Sequence, residues 1–297
     1  MAREIKSIFG SALGREGGGF PIRRPFPTGS LEQADPFLLL DEMGPVEWGP
    51  GEAVGAPDHP HYGFETVTYL LAGEMEHRDS SGRAGRLGPG DVQWMTAGGG
   101  VIHSEEPSSA FRLRGGLMHG FQLWVNLPQE YRRVAPRYQE LPAEKIPEFS
   151  DVKQGVRARI IAGAAFGIQA AVETYVPITY VHLELQPHSH TEVEIPADQE
   201  AYAYVFRGTG AFGPAEVLAG EGDFVLFSRD GDSVRVAAAH ADEGETPPSE
   251  GMPLEVLLLG GRALNEPLAR QGPFVAGSED ELREVFEAYR SGRFPPT

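Results

Sequence analysis

The 297-residue chain has no cysteine. Disulfides, thiolate zinc sites and a cysteine nucleophile are excluded together, so any bound metal must be held by histidine and carboxylate. Cations are scarce as well. Twenty-five Lys+Arg stand against 43 Asp+Glu, the net charge is −18, and the only lysines are Lys6, Lys145 and Lys153. A nucleic-acid surface needs clustered cations to displace phosphate counterions, and both halves of the chain are acidic, so no direct nucleic-acid binding is expected. Long apolar runs are also missing. No stretch of about 18 apolar residues is present to span a membrane. The opening MAREIKSIFG lacks the apolar core of a signal peptide, so the expectation is a soluble cytoplasmic protein with no membrane association.

Turn chemistry is abundant instead, with 38 glycines and 25 prolines. Short apolar runs lie between these breakers: Phe37–Leu40, Thr66–Leu71, Val92–Met95 and Phe121–Asn126 in the first half. In the second half they are Tyr180–Leu185, Tyr202–Phe206, Phe224–Phe227, Val234–Ala238 and Leu254–Leu259. Runs this short, broken about every ten residues and without βαβ alternation, predict an all-β sandwich or barrel. Residues 127–153 are rich in proline and charge, lack sustained periodicity, and read as a crossing segment packed down by Tyr131, Tyr138 and Phe149. One helix is expected, over 278–291. Ser278 and Glu281 have capping-box spacing, and Leu282, Val285, Phe286 and Tyr289 form one apolar stripe.

The halves echo each other. Tyr69–Gly73 resembles Tyr204–Gly208, and Gly88-Pro-Gly-Asp91 resembles Gly220-Glu-Gly-Asp223, which suggests a duplicated β-module. Chemistry-bearing residues are concentrated in the first copy. His59 and His61 are spaced i, i+2, as are His103 and Glu105, so on extended chain each pair points to one face. Two such pairs on neighbouring strands can converge four ligands on one point. Three imidazoles and a carboxylate suit Fe(II), Mn, Ni, Cu or Zn. Glu65 lies at even spacing from His61 and competes with Glu105 for the fourth position, unless Gly63 introduces a bulge that turns it aside.

The second half has its own pair, His188 and His190, with Glu192 and Glu194 nearby. Counting back from Gly208 as from Gly73 places Glu194 and Pro196 where His59 and His61 stand, and counting forward from Gly222 as from Gly90 places Arg235 where His103 stands. No second metal site is expected. Gly98–Gly100 has no following Lys-Ser/Thr and is not a phosphate loop; it reads as close backbone approach beside His103. Ser104 faces away from His103, against a Ser/His hydrolase. Trp94, Met95, Phe121 and Trp124 read as core, with room for one or two to line an aromatic-ligand pocket. His77 and His119 read as surface histidines, with hydrogen-bonded support of the site as the alternative.

HPHYGFETVTYLLAGEMEH resembles the first cupin motif and GPGDVQWMTAGGGVIHSE the second. More specifically, HPHxGFETVTY, GDxQWMTAGxGxxHSE and QLWVNLP resemble the pirin family, as do RRPFP, DPFLLLDEMGP and the closing GPFVAGSEDELREVFEAYRSGRF. The resemblance spans nearly the whole chain. It implies two tandem cupin domains, each an antiparallel β-barrel or jelly roll, with one metal, usually iron, in the first. It assigns the ligands to His59, His61, His103 and Glu105, since the motif-one glutamate of pirins is not a ligand. The expected layout is a metal-binding domain over 1–129, a connecting segment over 130–153, and a second domain over 154–297 without a metal site, ending in the helix.

Some pirins resemble quercetin 2,3-dioxygenases in activity, and animal members act as iron-dependent transcriptional co-regulators. The resemblance therefore implies a small aromatic substrate and O₂, with Glu105 or Glu65 receiving a phenolic proton. The alternative is a metal- and redox-responsive regulator that binds a protein partner. Tyr62 departs from the family pattern, where arginine is frequent, and is expected near the site mouth.

Overall fold

The computed structural model describes residues 1–239 and 252–295. All nine expected strands occur, most of them longer than the apolar runs that announced them. They assemble into two compact units, each with one seven-stranded and one four-stranded sheet. The all-β reading with a closing helix is borne out.

One unit comprises Leu13–Pro27, Pro36–Ala143 and Leu264–Thr297. Its large sheet runs in the order Arg137–Leu141, Val92–Thr96, Phe64–Ala72, Gly116–Asn126, Phe37–Trp48, Phe20–Phe26 and Ala12–Glu16. Its small sheet runs Ala56–His61, Val101–Pro107, Met75–Asp79 and Ala84–Leu87. The other unit comprises Met1–Ala12, Thr28–Asp35 and Glu144–Ala263. Its large sheet is Ile5–Gly10, Asp223–Phe227, Glu200–Arg207, Leu254–Gly261, Ile178–Leu185, Val156–Ala162 and Glu148–Asp151. Its small sheet is His190–Glu194, Ser233–Ala238, Thr209–Phe212 and Val217–Gly220.

The units do not follow the linear boundaries 1–129, 130–153 and 154–297. Ile5–Gly10 finds its hydrogen-bonding edge on Asp223–Phe227. The closing segment joins the unit of the first histidine pairs, where Tyr62 N–H donates to Pro273 O at 3.2 Å and Val275 N–H to Tyr62 O at 2.9 Å. The supposed crossing segment also contains two strands. Arg137–Leu141 pairs with Val92–Thr96, and Glu148–Asp151 with Val156–Ala162.

The central strands of the large sheets, such as Phe64–Ala72, are buried at nearly every position, which is why they read as continuous apolar runs. Val101–Pro107 instead alternates between buried and half-buried residues, and His103 and Glu105 fall on buried positions. A six-residue helix, Ser109–Arg114, was not expected from sequence; Ser108 caps it by accepting from Phe111 N–H at 3.0 Å. The expected helix spans Glu279–Arg290 with Ser278 as N-cap. The Glu281 carboxylate reaches back to Gly277 N–H at 2.9 Å, and Leu282, Val285 and Ala288 form the buried stripe, whereas Tyr289 is exposed. No helix among the described residues is long and apolar enough to cross a membrane.

Candidate metal centre

Ala56–His61 lies at the edge of its sheet, where Pro57 and Pro60 interrupt no inner ladder. It pairs with Val101–Pro107, placing His103 opposite His59 and Val101 opposite His61. The register shifts between His103 and Glu105, where Ala56 stands opposite Glu105. Period two and this pairing bring the His-Pro-His strand and the His103 strand onto one inward face.

One nitrogen from each of His59, His61 and His103 can be chosen so that all three lie within 4.8 Å of one another. The ring centroids are 4.5 to 4.9 Å apart. His59 Nδ1 donates to Pro57 O at 2.8 Å, which fixes the tautomer and leaves Nε2 with its lone pair, 3.0 Å from His61 Nε2. His61 Nδ1 and both nitrogens of His103 are buried with no hydrogen-bond partner. Buried polar atoms left this way cost about 1–3 kcal/mol each; a cation among the three imidazoles would take one nitrogen of His103 together with the facing Nε2 atoms of His59 and His61. Burial, then the neighbouring histidines His103 and His59, push the His61 pKa well down. Burial likewise lowers His103, to about 4, against the opposing pull of Glu105. Neutral imidazoles are the form that ligates. The donor set fits a metal site.

Glu105 stands beside the triad, with Oε2 4.0 Å from His103 Nε2. Thr68 Oγ1 donates to its Oε1 at 2.9 Å and Gln122 Nε2 to its Oε2 at 2.9 Å. Gln122 is held in turn by Trp124 Nε1–H, which donates to Gln122 Oε1 at 3.1 Å. Burial alone would raise the Glu105 pKa; His103, His59 and the two hydrogen bonds outweigh it and hold it below the usual carboxylate value. Glu65 is not gathered into the cluster. Gly63, at φ +89°, turns the chain between the two strands and breaks the even spacing from His61. Glu65 accepts instead from Thr96 Oγ1 at 2.7 Å, and burial raises its pKa to about 7.

A cavity of about 510 Å³ opens onto His59, His61 and Glu105. Trp124 forms part of its wall, its ring 5.3 Å from that of His61. Phe20, Ile22 and Leu39 give it an apolar side, and Arg24, Asp41 and Arg270 a charged one. Sequence reasoning missed the charged group, because its members come from three distant segments with no local motif. Trp124, one of the four residues expected in the core with one or two lining a pocket, does line the cavity; Gln122 lies inside the QLWVNLP stretch and was open to detection there.

Other expectations need correction. Tyr62 is fully buried and faces away from the cavity, packing on Ala269, Phe274 and Leu282; its hydroxyl donates to Glu281 at 2.9 Å. It anchors the closing helix and does not guard the mouth. His77 and His119 are buried, paired with Glu140 at 3.1 Å and Glu42 at 2.9 Å. Gly98 gives close backbone approach, but to Val134 O, which a Cβ there would meet at 2.2 Å. In the other unit His188 and His190 are exposed, and the inward positions carry Val193, Ile195, Val234 and Val236. The inward residues fall one place from Glu194, Pro196 and Arg235, the positions reached by counting.

The Pirin family profile matches residues 19–125, and the profile described as Pirin C-terminal cupin domain matches residues 180–295. The chain belongs to the pirin family. A pirin-like protein of Solanum lycopersicum is 37% identical over 97% of this chain and 91% of its own length. Pirin of Homo sapiens is 37% identical over 97% and 93%. Among solved structures, a quercetin 2,3-dioxygenase from Acinetobacter baumannii superposes with a TM-score of 0.90 at 31% identity, covering 99% of each chain. The two units of this pirin-family chain are therefore cupin-type domains in tandem.

Proposed function

We propose that this pirin-family protein is a metal-dependent dioxygenase acting on flavonol-type aromatic substrates. His59, His61, His103 and Glu105 would hold one first-row divalent ion, for which iron(II) is our assignment. The observation that carries the reading is a cavity lined in part by Phe20 and Trp124 that opens onto two imidazoles of a three-histidine cluster and onto a fixed carboxylate. The similarity to the Acinetobacter baumannii quercetin 2,3-dioxygenase supports it. When bound, the ion supplies a Lewis-acidic, redox-capable centre for adjacent substrate oxygens.

The protein's own groups do the rest. Trp124 and Leu39 accept the flat face of the substrate and exclude water from it. Thr68 and Gln122 donate to Glu105 and fix its carboxylate at the cavity wall, where it accepts the proton of a substrate hydroxyl. Glu65 is out of reach of that hydroxyl, being occupied with Thr96 outside the cavity lining.

Aerobic incubation of iron-, manganese-, nickel- and copper-loaded protein with quercetin tests the proposal, following flavonol absorbance and O₂ uptake. Glu105→Gln keeps the shape and removes the charge, and should lower turnover by about 100-fold, the scale of one general base. If no metal form exceeds the Glu105→Gln control, flavonol oxygenation is not the activity, and the reading as a partner-binding regulator takes its place.

A further inference from the structure

Two arginines line the metal cavity, and they differ in what they already hold. Arg24 is already paired with two carboxylates: Nε and Nη2 each lie 2.6 Å from an Asp41 oxygen, and Nη2 is 2.7 Å from Glu16. Arg270 is not. Its Nη1 donates to the Leu38 carbonyl at 2.7 Å, its guanidinium carbon sits 4.9 Å from the Trp124 ring centroid, and among the described residues it makes no ion pair. Nε and Nη2 thus have no protein partner there, on a residue that is half-buried in the cavity wall.

The position of Arg270 is built. It lies on the hairpin of Ala269–Gln271 and Phe274–Ala276, which is tied to the metal-site unit by the backbone bonds from Tyr62 to Pro273 and from Val275 to Tyr62. Stacking on an indole and donation to one carbonyl pre-orient the guanidinium, so little side-chain entropy remains to be lost when an acceptor arrives. The same indole lies 5.3 Å from the His61 ring. Trp124 therefore bridges the imidazole cluster and the free edge of Arg270.

We propose that Arg270 is the specificity residue of this cavity, receiving an anionic oxygen substituent on an aromatic ring that lies along Trp124 with adjacent hydroxyls toward the histidines and Glu105. The preferred substrate class is a catechol- or flavonol-like aromatic carrying a carboxylate or an ionised phenol. The proposal rests on the reading of this cavity as the substrate site. The competing explanation is that Arg270 only balances the Arg24–Asp41–Glu16 group, which holds two carboxylates against one guanidinium.

Titration calorimetry on zinc-loaded protein separates these. The probes are 3,4-dihydroxybenzoate and 4-methylcatechol, alike in shape and different in charge. The wild type should bind the acid about tenfold more tightly, the scale of one charge-assisted hydrogen bond. The preference should weaken with added salt, fall to about one in Arg270→Gln, and be partly kept in Arg270→Lys. Equal affinities in the wild type, or failure of both probes to bind, overturn the proposal. So does an undiminished preference in Arg270→Gln with a lowered melting temperature, the result expected from charge balance alone. Absent flavonol turnover together with an intact acid preference would sink the dioxygenase reading and leave the Arg270 assignment standing.

Discussion

Glu65 and Glu105 begin as equivalent candidates and end in opposite electrostatic states. Both are buried, and burial is the largest influence on each. Glu105 has imidazoles and two donors to offset it; Glu65 has mainly Thr96, and its pKa rises from 4.5 to about 7. Because the folded pKa lies above the unfolded one, the folded state binds more protons between these values. Stability contributed by neutral Glu65 is complete below pH 4.5 and is lost as pH rises through about 7. At 1.36 kcal/mol per unit the loss amounts to about 3 kcal/mol. Glu65→Gln keeps an acceptor for Thr96 and cannot ionise. In urea unfolding it should match the wild type at about pH 4 and exceed it by about 3 kcal/mol at about pH 8.5. An equal difference at both pH values would show that Glu65 does not titrate in this range. The histidines were legible in the sequence because strand periodicity is local and two i, i+2 pairs announce one face. The choice between the glutamates was not legible from spacing, since it depends on how Gly63 turns the chain, and Arg270 gave no signal because its partner Trp124 is so far along the chain.

The connection between Ala56–His61 and Phe64–Ala72 shows how an element holds the centre together. Gly63 has φ +89°, and a Cβ there would meet Val275 O at 1.9 Å. Its neighbour Tyr62 carries the backbone bonds that secure the Arg270 hairpin. Gly63→Ala therefore combines left-handed strain with a backbone collision. Gly82 offers the matched control, with φ +86° and open space around its Cβ position. Gly82→Ala should cost about 1–2 kcal/mol, from strain alone. Gly63→Ala should cost at least about 2 kcal/mol more, with faster amide exchange over Ala269–Ala276. Equal costs and unchanged exchange would mean that the hairpin adjusts freely. Strand positions were readable because apolar runs and glycine turns are local signals. The two strands within 127–153 were hidden because their pairing edges lie on Val92–Thr96 and Val156–Ala162, outside the segment itself.

At the scale of the whole molecule, duplication gives two units of the same sheet plan with different interiors. One is filled by aliphatic side chains with Phe212 and Phe227; the other keeps a cavity beside the histidine cluster. The sequence echo revealed the duplication, but not that the chain ends cross over between units, because Ile5–Gly10 and Phe274–Ala276 find their partners far along the chain. Each unit has an extensive apolar core of its own, so folding does not wait for metal as it does in a zinc finger. A bound ion would instead add binding energy to a native state that otherwise leaves a His103 nitrogen buried without a partner and sets His59 Nε2 against His61 Nε2 at 3.0 Å. At a free metal concentration 100 times the dissociation constant, that linkage is worth about 2.7 kcal/mol. Chelation should then lower the melting temperature by about 5–10 °C while β-type circular dichroism persists below the transition. His103→Ala should remove both stoichiometric metal and the chelation shift, whereas His188→Ala with His190→Ala, both exposed in the other unit, should keep both. A chelated chain without β structure would show that the cores do not suffice. Loss of the shift in the His188/His190 double variant would place the metal in the wrong half of the molecule.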